Sequence, residues 1–207
     1  MDCTQLPYIV EPMRLRDIKE VMEIERVSFP SPWSARAYRY ELRENDLSHY
    51  FVVRQCQTAK PGSGLLTRVR HSLGVGTPPA ILGYGGFWMM VDEAHISTIA
   101  VQPNWRQRGI GELLLVAMLD RAIELGAEIA TLEVRVSNVT AQNLYRKYDF
   151  EQAGLRRKYY RDRDEDALIM STQRLTSASF QSHFQQLKQA LWEKLISEFG
   201  QNALDAV

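Results

Sequence analysis

Apolar residues recur every three or four positions in several stretches of the chain, the spacing of amphipathic helices. Shorter apolar stretches bounded by turn-forming residues have the length and composition of β-strands. Pro30 and Pro32 end the first helix, Ser34 is a candidate N-cap of the second, and Gly126 closes the third. The pattern predicts helices over residues 14–28, 35–43, 111–125 and 140–148, and strands over 49–54, 80–90, 95–101, 131–136, 151–159 and 167–173.

The order of these elements predicts an α/β fold. A strand at 95–101, a helix at 111–125 and a strand at 131–136 form one strand–helix–strand unit. If both strands join one sheet, they must pair in parallel through a right-handed crossover. The last two strands, around the charged turn at 162–166, read as a closing hairpin. We therefore expect a mixed sheet with helices on both faces.

Two segments lie outside this pattern. Residues 55–79 are rich in Gly, Pro, Ser and Thr and predict a surface loop inserted between two strands. Its basic residues suit either a solvated loop, which we favour, or contact with a partner: Lys60, Arg68, Arg70 and His71.

The C-terminal segment, residues 176–207, predicts an amphipathic helix. Its apolar residues form one stripe, which suits packing on its own domain, the favoured interpretation, or binding of a partner or second copy. The stripe consists of Phe180, Phe184, Leu187, Leu191, Leu195 and Phe199.

Composition narrows the possible functions. The 207 residues carry 25 basic and 25 acidic side chains, and this balance argues against general nucleic-acid binding. Cys3 and Cys56 are too few for a disulfide framework, which favours a reducing cytoplasm. The four histidines have no metal-ligand spacing, and no apolar run approaches the roughly 18 residues of a membrane span. Residues 1–16 also lack the layout of a signal peptide. We expect a cytoplasmic protein without metal, nucleic-acid or membrane partners.

A turn between a strand and a helix, residues 101–112, carries the most specific signal. Gly109 and Gly111 permit a tight turn and close approach of a ligand to the backbone. The free N–H groups at the helix start favour a phosphate, and Arg106 and Arg108 add positive charge. The turn lacks the third glycine of dinucleotide-binding proteins, because Leu114 occupies that position.

These residues resemble a known family. Arg106-x-x-Gly109-x-Gly111 after a strand resembles the coenzyme-A motif of the GCN5-related N-acetyltransferases (GNAT). Further motifs resemble the bacterial ribosomal-protein-alanine N-acetyltransferases, and together they cover roughly residues 8–173: Ile24 to Phe29, Pro32-Trp33-Ser34, Leu132 to Asn138, Ala141 to Tyr145 and Arg156 to Tyr160. Asp149 departs from the family pattern, which has glycine there.

The resemblance implies a GNAT fold, mostly antiparallel with a central parallel pair of strands. It implies a catalytic domain over residues 8–175, interrupted by the 55–79 loop and followed by the 176–207 helix. It also implies acetyl-CoA as cosubstrate, bound by Ile99, Ala100, Val101, Arg106, Gln107, Arg108, Gly109, Ile110, Gly111, Glu112 and Asn138. Asn138 also suits an N-cap of the following helix.

Glu133 has a physical argument beside the resemblance. Along its strand, Glu133 and Arg135 face opposite to the apolar residues, although a central parallel strand is usually apolar on both faces. This face therefore opens onto a cleft, unless it is simply an exposed face with a charge pair. The resemblance assigns Glu133 as the general base, for which a modestly raised pKa suffices.

By the same resemblance, Tyr145 is the general acid that protonates the departing thiolate, although a lone helical tyrosine is otherwise a core residue. Trp33, Arg135, Tyr159 and Tyr160 are expected to line the acceptor groove. His95 begins a strand and is interpreted as structural.

We expect an N-α-acetyltransferase whose acceptor is a protein N-terminus, foremost the N-terminal alanine of a small-subunit ribosomal protein. The alternatives are an enzyme of broader N-terminal, lysine or small-amine specificity and a non-catalytic acetyl-CoA-binding module. The protein is expected to be a monomer or weak dimer.

Overall fold

A computed structural model describes residues 7–56 and 79–204, with side chains to residue 197. The described strands are β1 (Tyr8–Pro12), β2 (Ser48–Gln55), β3 (Ile81–Met90), β4 (Glu93–Val101), β5 (Ile129–Arg135), β6 (Phe150–Tyr160) and β7 (Glu165–Thr172). The helices are α1 (Ile18–Ser28), α2 (Ala35–Arg43), α3 (Ile110–Glu124), α4 (Val139–Lys147) and α5 (Ala178–Leu204). Cys3, the Phe199 side chain and most of the 55–79 insertion, with its four basic residues, lie outside the described part.

The strands form one sheet in the order β1-β2-β3-β4-β5-β7-β6. β4 and β5 pair in parallel and all other neighbours are antiparallel, which confirms the mixed sheet expected from the sequence. The pattern missed β1, which pairs Tyr8 with Gln55 at one edge. Glu93, which lies outside the strand predicted over 95–101, is the first residue of β4 and lies opposite Met90.

Two apolar layers cover the two faces of the sheet. On one face, α1 and α2 bury Val21, Ile24 and Tyr38 against Tyr84 of β3. On the other face, α3 and α5 share a larger cluster with β3, β4 and β5. Four side chains of the predicted C-terminal stripe are at most 3% exposed in this cluster, so α5 packs on its own domain: Phe180, Phe184, Leu191 and Leu195.

The parallel strands pair over only part of their length. Ile96 and Leu132 form the last pair between β4 and β5. Beyond it, β5 pairs with β7 alone and β4 with β3 alone. The β3–β4 register shifts next to Ser97, so a β-bulge lies where the pairing with β5 stops. Beyond the last pair the two parallel strands part, which leaves an opening between β4 and β5. Glu133 follows directly on Leu132 and so lies at the mouth of this opening.

A buried ion cluster holds β2 to the segment before α1. Arg54 and Asp17 are 3% and 2% exposed, and a guanidinium nitrogen of Arg54 lies 2.7 Å from Asp17 Oδ1. Glu11 accepts a second bond from Arg54 at 2.9 Å. Arg54 also donates to the carbonyl of Pro79, just before β3. One buried guanidinium therefore joins β1, β2 and the chain entering β3.

Replacing Arg54 by leucine should strongly destabilise the fold. The change leaves the Asp17 carboxylate buried without its cationic partner, which costs about 3–5 kcal/mol. Urea denaturation will measure the loss in the free energy of unfolding. Arg174→Leu is the matched control, because its pair with Glu128 is exposed and contributes about 0–1 kcal/mol. Equal losses in the two variants would contradict the importance of the buried cluster.

Candidate active site

The turn before α3 has the geometry of an anion-binding site. Gln107 and Gly109 adopt left-handed conformations, with φ of 61° and 75°, on either side of Arg108. Such an alternation turns successive backbone N–H groups toward one concavity. Gly109 is also the N-cap of α3, whose first N–H groups and positive dipole end lie here. Two arginines flank the turn: Arg106 Nε donates to the Val101 carbonyl at 3.2 Å, and Arg108 lies 4.9 Å from the Trp105 ring centroid.

The backbone at Gly111 is open to close approach by a ligand. A Cβ at Gly111 would meet only Val101, at an ordinary distance of 3.7 Å, so packing within the protein does not demand a glycine there. Close approach of a ligand to the backbone does demand one. Ile110 is 1% exposed, and Glu112 accepts hydrogen bonds from Tyr148 and Lys147 of the α4 region. Their side chains are thus committed to the protein, and a ligand would meet their backbone N–H groups.

The end of β4 offers backbone groups to the same opening. Ala100 buries its side chain beneath α1, while Ile99 and Val101 pack against the opposite apolar cluster. No residue of β5 pairs with these three, so the β5-facing edge of β4 is free of sheet hydrogen bonds there. Across the opening, Asn138 caps α4 by accepting a hydrogen bond from the Ala141 N–H at 3.2 Å.

Glu133 is held between two basic side chains at the mouth of the opening. Its carboxylate side chain is 8% exposed, with Oε2 3.1 Å from His95 Nε2. Oε1 lies 3.2 Å from a guanidinium nitrogen of Arg156. The hydrogen bond from His95, with the charges of His95 and Arg156, outweighs burial and lowers the pKa of Glu133. This shift is opposite in direction to the modestly raised pKa that would suffice for a general base.

His95, interpreted from the sequence as structural, directly contacts Glu133. The indole of Trp88 stacks on its ring at 5.8 Å with an interplanar angle of 7°, and Trp33 stacks in turn on Trp88 at 6.0 Å. His95 Nδ1 lies 3.0 Å from Thr131 Oγ1. A continuous row of rings therefore runs from the loop before α2 to the carboxylate of Glu133.

Tyr145 lies on α4, which is tied to the end of β5. Gln142 donates from its amide to the carbonyls of Arg135 and Val136 at 3.0 and 2.9 Å. The Tyr145 ring packs 5.8 Å from Phe150. Burial, followed by the charge of Tyr160, raises the pKa of Tyr145, so its hydroxyl keeps its proton and remains a donor at neutral pH.

Arg135 holds the β6–β7 hairpin in place beside the opening. Its guanidinium bonds Asp162 at 2.7 Å and Glu165 at 2.9 Å and lies 3.9 Å from the Tyr160 ring centroid. Tyr160 donates to the Glu133 carbonyl at 3.3 Å, and burial raises its pKa to about 12. Tyr159 packs edge-on against Tyr160 at 5.1 Å and is 44% exposed. Arg135 thus fixes the hairpin that presents both tyrosines.

The family's usual glycine after α4 is replaced here by a residue that anchors α5. Asp149 keeps the left-handed conformation with φ of 60°, which aspartate tolerates better than most residues. Its carboxylate lies 2.8 Å from Nδ1 of His183 in α5. Farther along α5, Lys188 pairs with Asp120 at 2.7 Å, and Leu195 reaches Gly109. α5 therefore touches both the end of α4 and the anion-binding turn.

Removing the side chain of Leu195 should loosen the anion-binding turn. A Cβ on Gly109 would lie 2.9 Å from Leu195 Cδ2, so this leucine fills the space behind the turn. We expect Leu195→Ala to cost about 2–5 kcal/mol of stability and to weaken acetyl-CoA binding several-fold. Thermal denaturation and calorimetric titration will measure both effects. Ile196→Ala is the control, since Ile196 is 44% exposed; equal weakening in both variants would contradict this role.

Within residues 7–56 and 79–204, no helix is long and apolar enough to cross a membrane. The same residues contain no group of three or more His, Cys, Asp or Glu side chains arranged to hold a metal ion.

Comparison with known proteins gives the same family as the sequence motifs. Residues 18–150 match the acetyltransferase (GNAT) family model. A putative ribosomal protein bS18-alanine N-acetyltransferase of Bacillus subtilis is 39% identical over 161 residues, covering 78% of this chain and 92% of the relative. The Escherichia coli enzyme of that name is 28% identical over 164 residues, covering 78% and 95%. The crystal structure of the Escherichia coli ribosomal-protein-alanine N-acetyltransferase superimposes with a TM-score of 0.62 at 25% identity, covering 80% of this chain and 92% of that one.

Proposed function

Because the chain belongs to the acetyltransferase (GNAT) family, we propose that it acetylates a protein N-terminus, with the N-terminal alanine of ribosomal protein bS18 as acceptor. The acceptor follows from the names of the two bacterial relatives. The observation that carries the chemistry is the position of Glu133, a nearly buried carboxylate where β4 and β5 stop pairing. We propose that the protein works in the cytoplasm as a monomer or weak dimer.

Bound acetyl-CoA would supply the acetyl thioester. The turn at 106–111 would hold its pyrophosphate through backbone N–H groups and flanking arginines. The unpaired edge of β4 at Ile99 to Val101 would donate N–H groups to the acetyl oxygen as negative charge develops there. Glu133 would accept the proton of the attacking amine, and Tyr145 would give a proton to the departing sulfur.

The walls of the opening favour a peptide acceptor over a small amine. Trp33 and Trp88 continue the row of rings away from Glu133 on one side. Tyr159 and Tyr160 stand on the hairpin on the other side. Aromatic walls on both sides offer contact to residues of an acceptor peptide beyond its first, and a small amine has no such residues.

In this proposal the catalytic domain spans residues 8–175, and residues 176–207 form its C-terminal extension.

Two matched peptides test the proposal. One has the N-terminal sequence of bS18 with a free alanine and every lysine replaced; the other has a blocked N-terminus and one internal lysine. Mass spectrometry after incubation with acetyl-CoA and the protein should show acetylation of the first peptide only. An α-amine has a pKa near 7.7–8.0 against about 10.4 for lysine, so it loses its proton more readily.

The other outcomes separate the alternatives. Acetylation of the lysine peptide alone would overturn the acceptor and keep the reaction. Equal acetylation of bS18 peptides that begin with different residues would indicate broader N-terminal specificity. Binding of acetyl-CoA without transfer to either peptide would favour small amines or a non-catalytic role.

A further inference from the structure

A row of four polar side chains runs along one face of the sheet, across β4 and β5, to Glu133. Thr131 Oγ1 donates to Glu93 Oε1, and His95 Nδ1 lies 3.0 Å from Thr131 Oγ1. His95 Nε2 lies 3.1 Å from Glu133 Oε2. The Glu93 side chain is 33% exposed and that of Glu133 is 8% exposed, so the row joins solvent to the opening.

The three contacts along this row need one more hydrogen than a neutral imidazole, a hydroxyl and two carboxylates supply. Three hydrogen bonds between four groups need three hydrogens, however each bond is oriented. The Thr131 hydroxyl carries one, a neutral imidazole carries one, and two carboxylates carry none. The third hydrogen must be an added proton on the imidazole or on a carboxyl group. The fully bonded row therefore has one proton more than its groups hold when His95 is neutral and both carboxyls are ionised.

We propose that His95 and Glu133 act together as the general base, sharing the proton that the acceptor amine gives up. This inference rests on the proposed function. Before reaction the row lacks its third hydrogen. As the nitrogen–carbon bond forms and the carbon–sulfur bond breaks, the amine proton passes to Glu133 Oε2, where it completes the bond to His95 Nε2. His95 does not touch the substrate and is a positioning and proton-sharing residue.

The pair resolves a difficulty for Glu133 as the sole base. The hydrogen bond and charge of His95 lower the pKa of Glu133, so the carboxylate beside a protonated His95 is a weak proton acceptor, whereas a general base works best near the operating pH. Because the two groups are in hydrogen-bond contact, a proton taken up by the pair belongs to both, and the imidazole offers it a second position. Trp88 fixes the ring plane by stacking at 5.8 Å. The other charged or titratable groups around the pair are Glu93 of β4, Arg135 of β5, Arg156 and Tyr160 of β6, and Glu41 of α2, which accepts from the Trp88 indole.

The test is the pH profile of kcat, at saturating acetyl-CoA and bS18 peptide, for wild type and His95→Gln. Glutamine can still donate to Glu133 but cannot share a proton. We expect the acid limb of the His95→Gln profile to lie at lower pH than that of the wild type, by about one unit or more. The reason is that carboxyl groups lose their proton near pH 4.3 and imidazoles near 6.5. The plateau rate should fall at least several-fold. His49→Gln, a histidine of β2 beside Phe87, should leave the profile unchanged.

Two further variants keep the test decisive. Glu93→Gln, at the solvent end of the row, should move the acid limb in the same direction by a smaller amount, and it provides the test if His95→Gln fails to fold. Nuclear magnetic resonance of histidine-labelled protein, recorded at pH values below the acid limb where the row holds its added proton, should show a downfield, slowly exchanging Nε2–H signal from His95 that disappears or moves in Glu133→Gln. If Glu133→Gln is inactive while His95→Gln and Glu93→Gln keep the wild-type profile, the pair is overturned and the proposed function stands. Unchanged kcat in Glu133→Gln would overturn the pair and the role of Glu133 as the base, whereas a wild-type protein that transfers no acetyl group to the bS18 peptide would overturn the proposed function.

Discussion

Replacing Glu133 by glutamine should lower kcat by about 10²–10⁴-fold, the usual contribution of a general base. Glutamine has the same size and can still accept a hydrogen bond from His95, so the site keeps its shape. Acetyl-CoA affinity should change little, because Glu133 lies on β5 and the anion-binding turn precedes α3. Steady-state kinetics and calorimetric titration will measure the two quantities separately.

Glu151→Gln is the matched control for this variant. Glu151 is exposed on β6, pairs with Ser171 across the hairpin and should leave kcat unchanged. The residual activity of Glu133→Gln should increase with pH as the acceptor α-amine loses its own proton near pH 7.7–8.0. A fall in acetyl-CoA affinity with kcat preserved would assign Glu133 to binding and not to catalysis.

Replacing Tyr145 by phenylalanine should lower kcat by a similar factor, about 10²–10⁴. The ring contact with Phe150 at 5.8 Å does not involve the hydroxyl, so the fold should be retained. Since burial raises the pKa of Tyr145, its hydroxyl is protonated throughout neutral pH. The activity of the wild type should therefore show no loss from Tyr145 ionisation below pH 10.

The control for Tyr145→Phe is Tyr40→Phe. Tyr40 is 58% exposed on α2, and loss of its hydroxyl should leave kcat unchanged. Circular dichroism will verify that both variants fold. If Tyr145→Phe retains more than about one tenth of wild-type kcat, another group protonates the leaving sulfur.

Local signals in the sequence were sufficient for the helices. Ser34 accepts a hydrogen bond from the Ala37 N–H at 3.1 Å, as an N-cap should, and Gly126 adopts φ of 87° after α3. β1 was missed because five residues ending in proline show little alternation. Its identity as a strand depends on pairing with β2, which is distant in the sequence.

The placement of Glu133 and Arg135 on one face of β5 could be predicted, because it depends only on alternation along a single strand. Alternation along β5 separated Glu133 and Arg135 from the apolar residues. It could not show that Glu133 bonds His95 and Arg156 while Arg135 bonds Asp162 and Glu165. Those partners come from β4, β6 and the last hairpin, and their positions depend on strand register. The contact between His95 and Glu133 was missed for the same reason.

The packing of α5 on Gly109 bears on how the newly made protein becomes functional. Every strand of the sheet, and the turn that would hold the coenzyme, is synthesised before the segment carrying Leu191 and Leu195. Because domains form from the N-terminus during synthesis, the turn acquires its final support only when this segment docks. Tight coenzyme binding should therefore be among the last properties a nascent chain gains. A proteolytic cut within α5, far from Glu133 in sequence, should remove that property again.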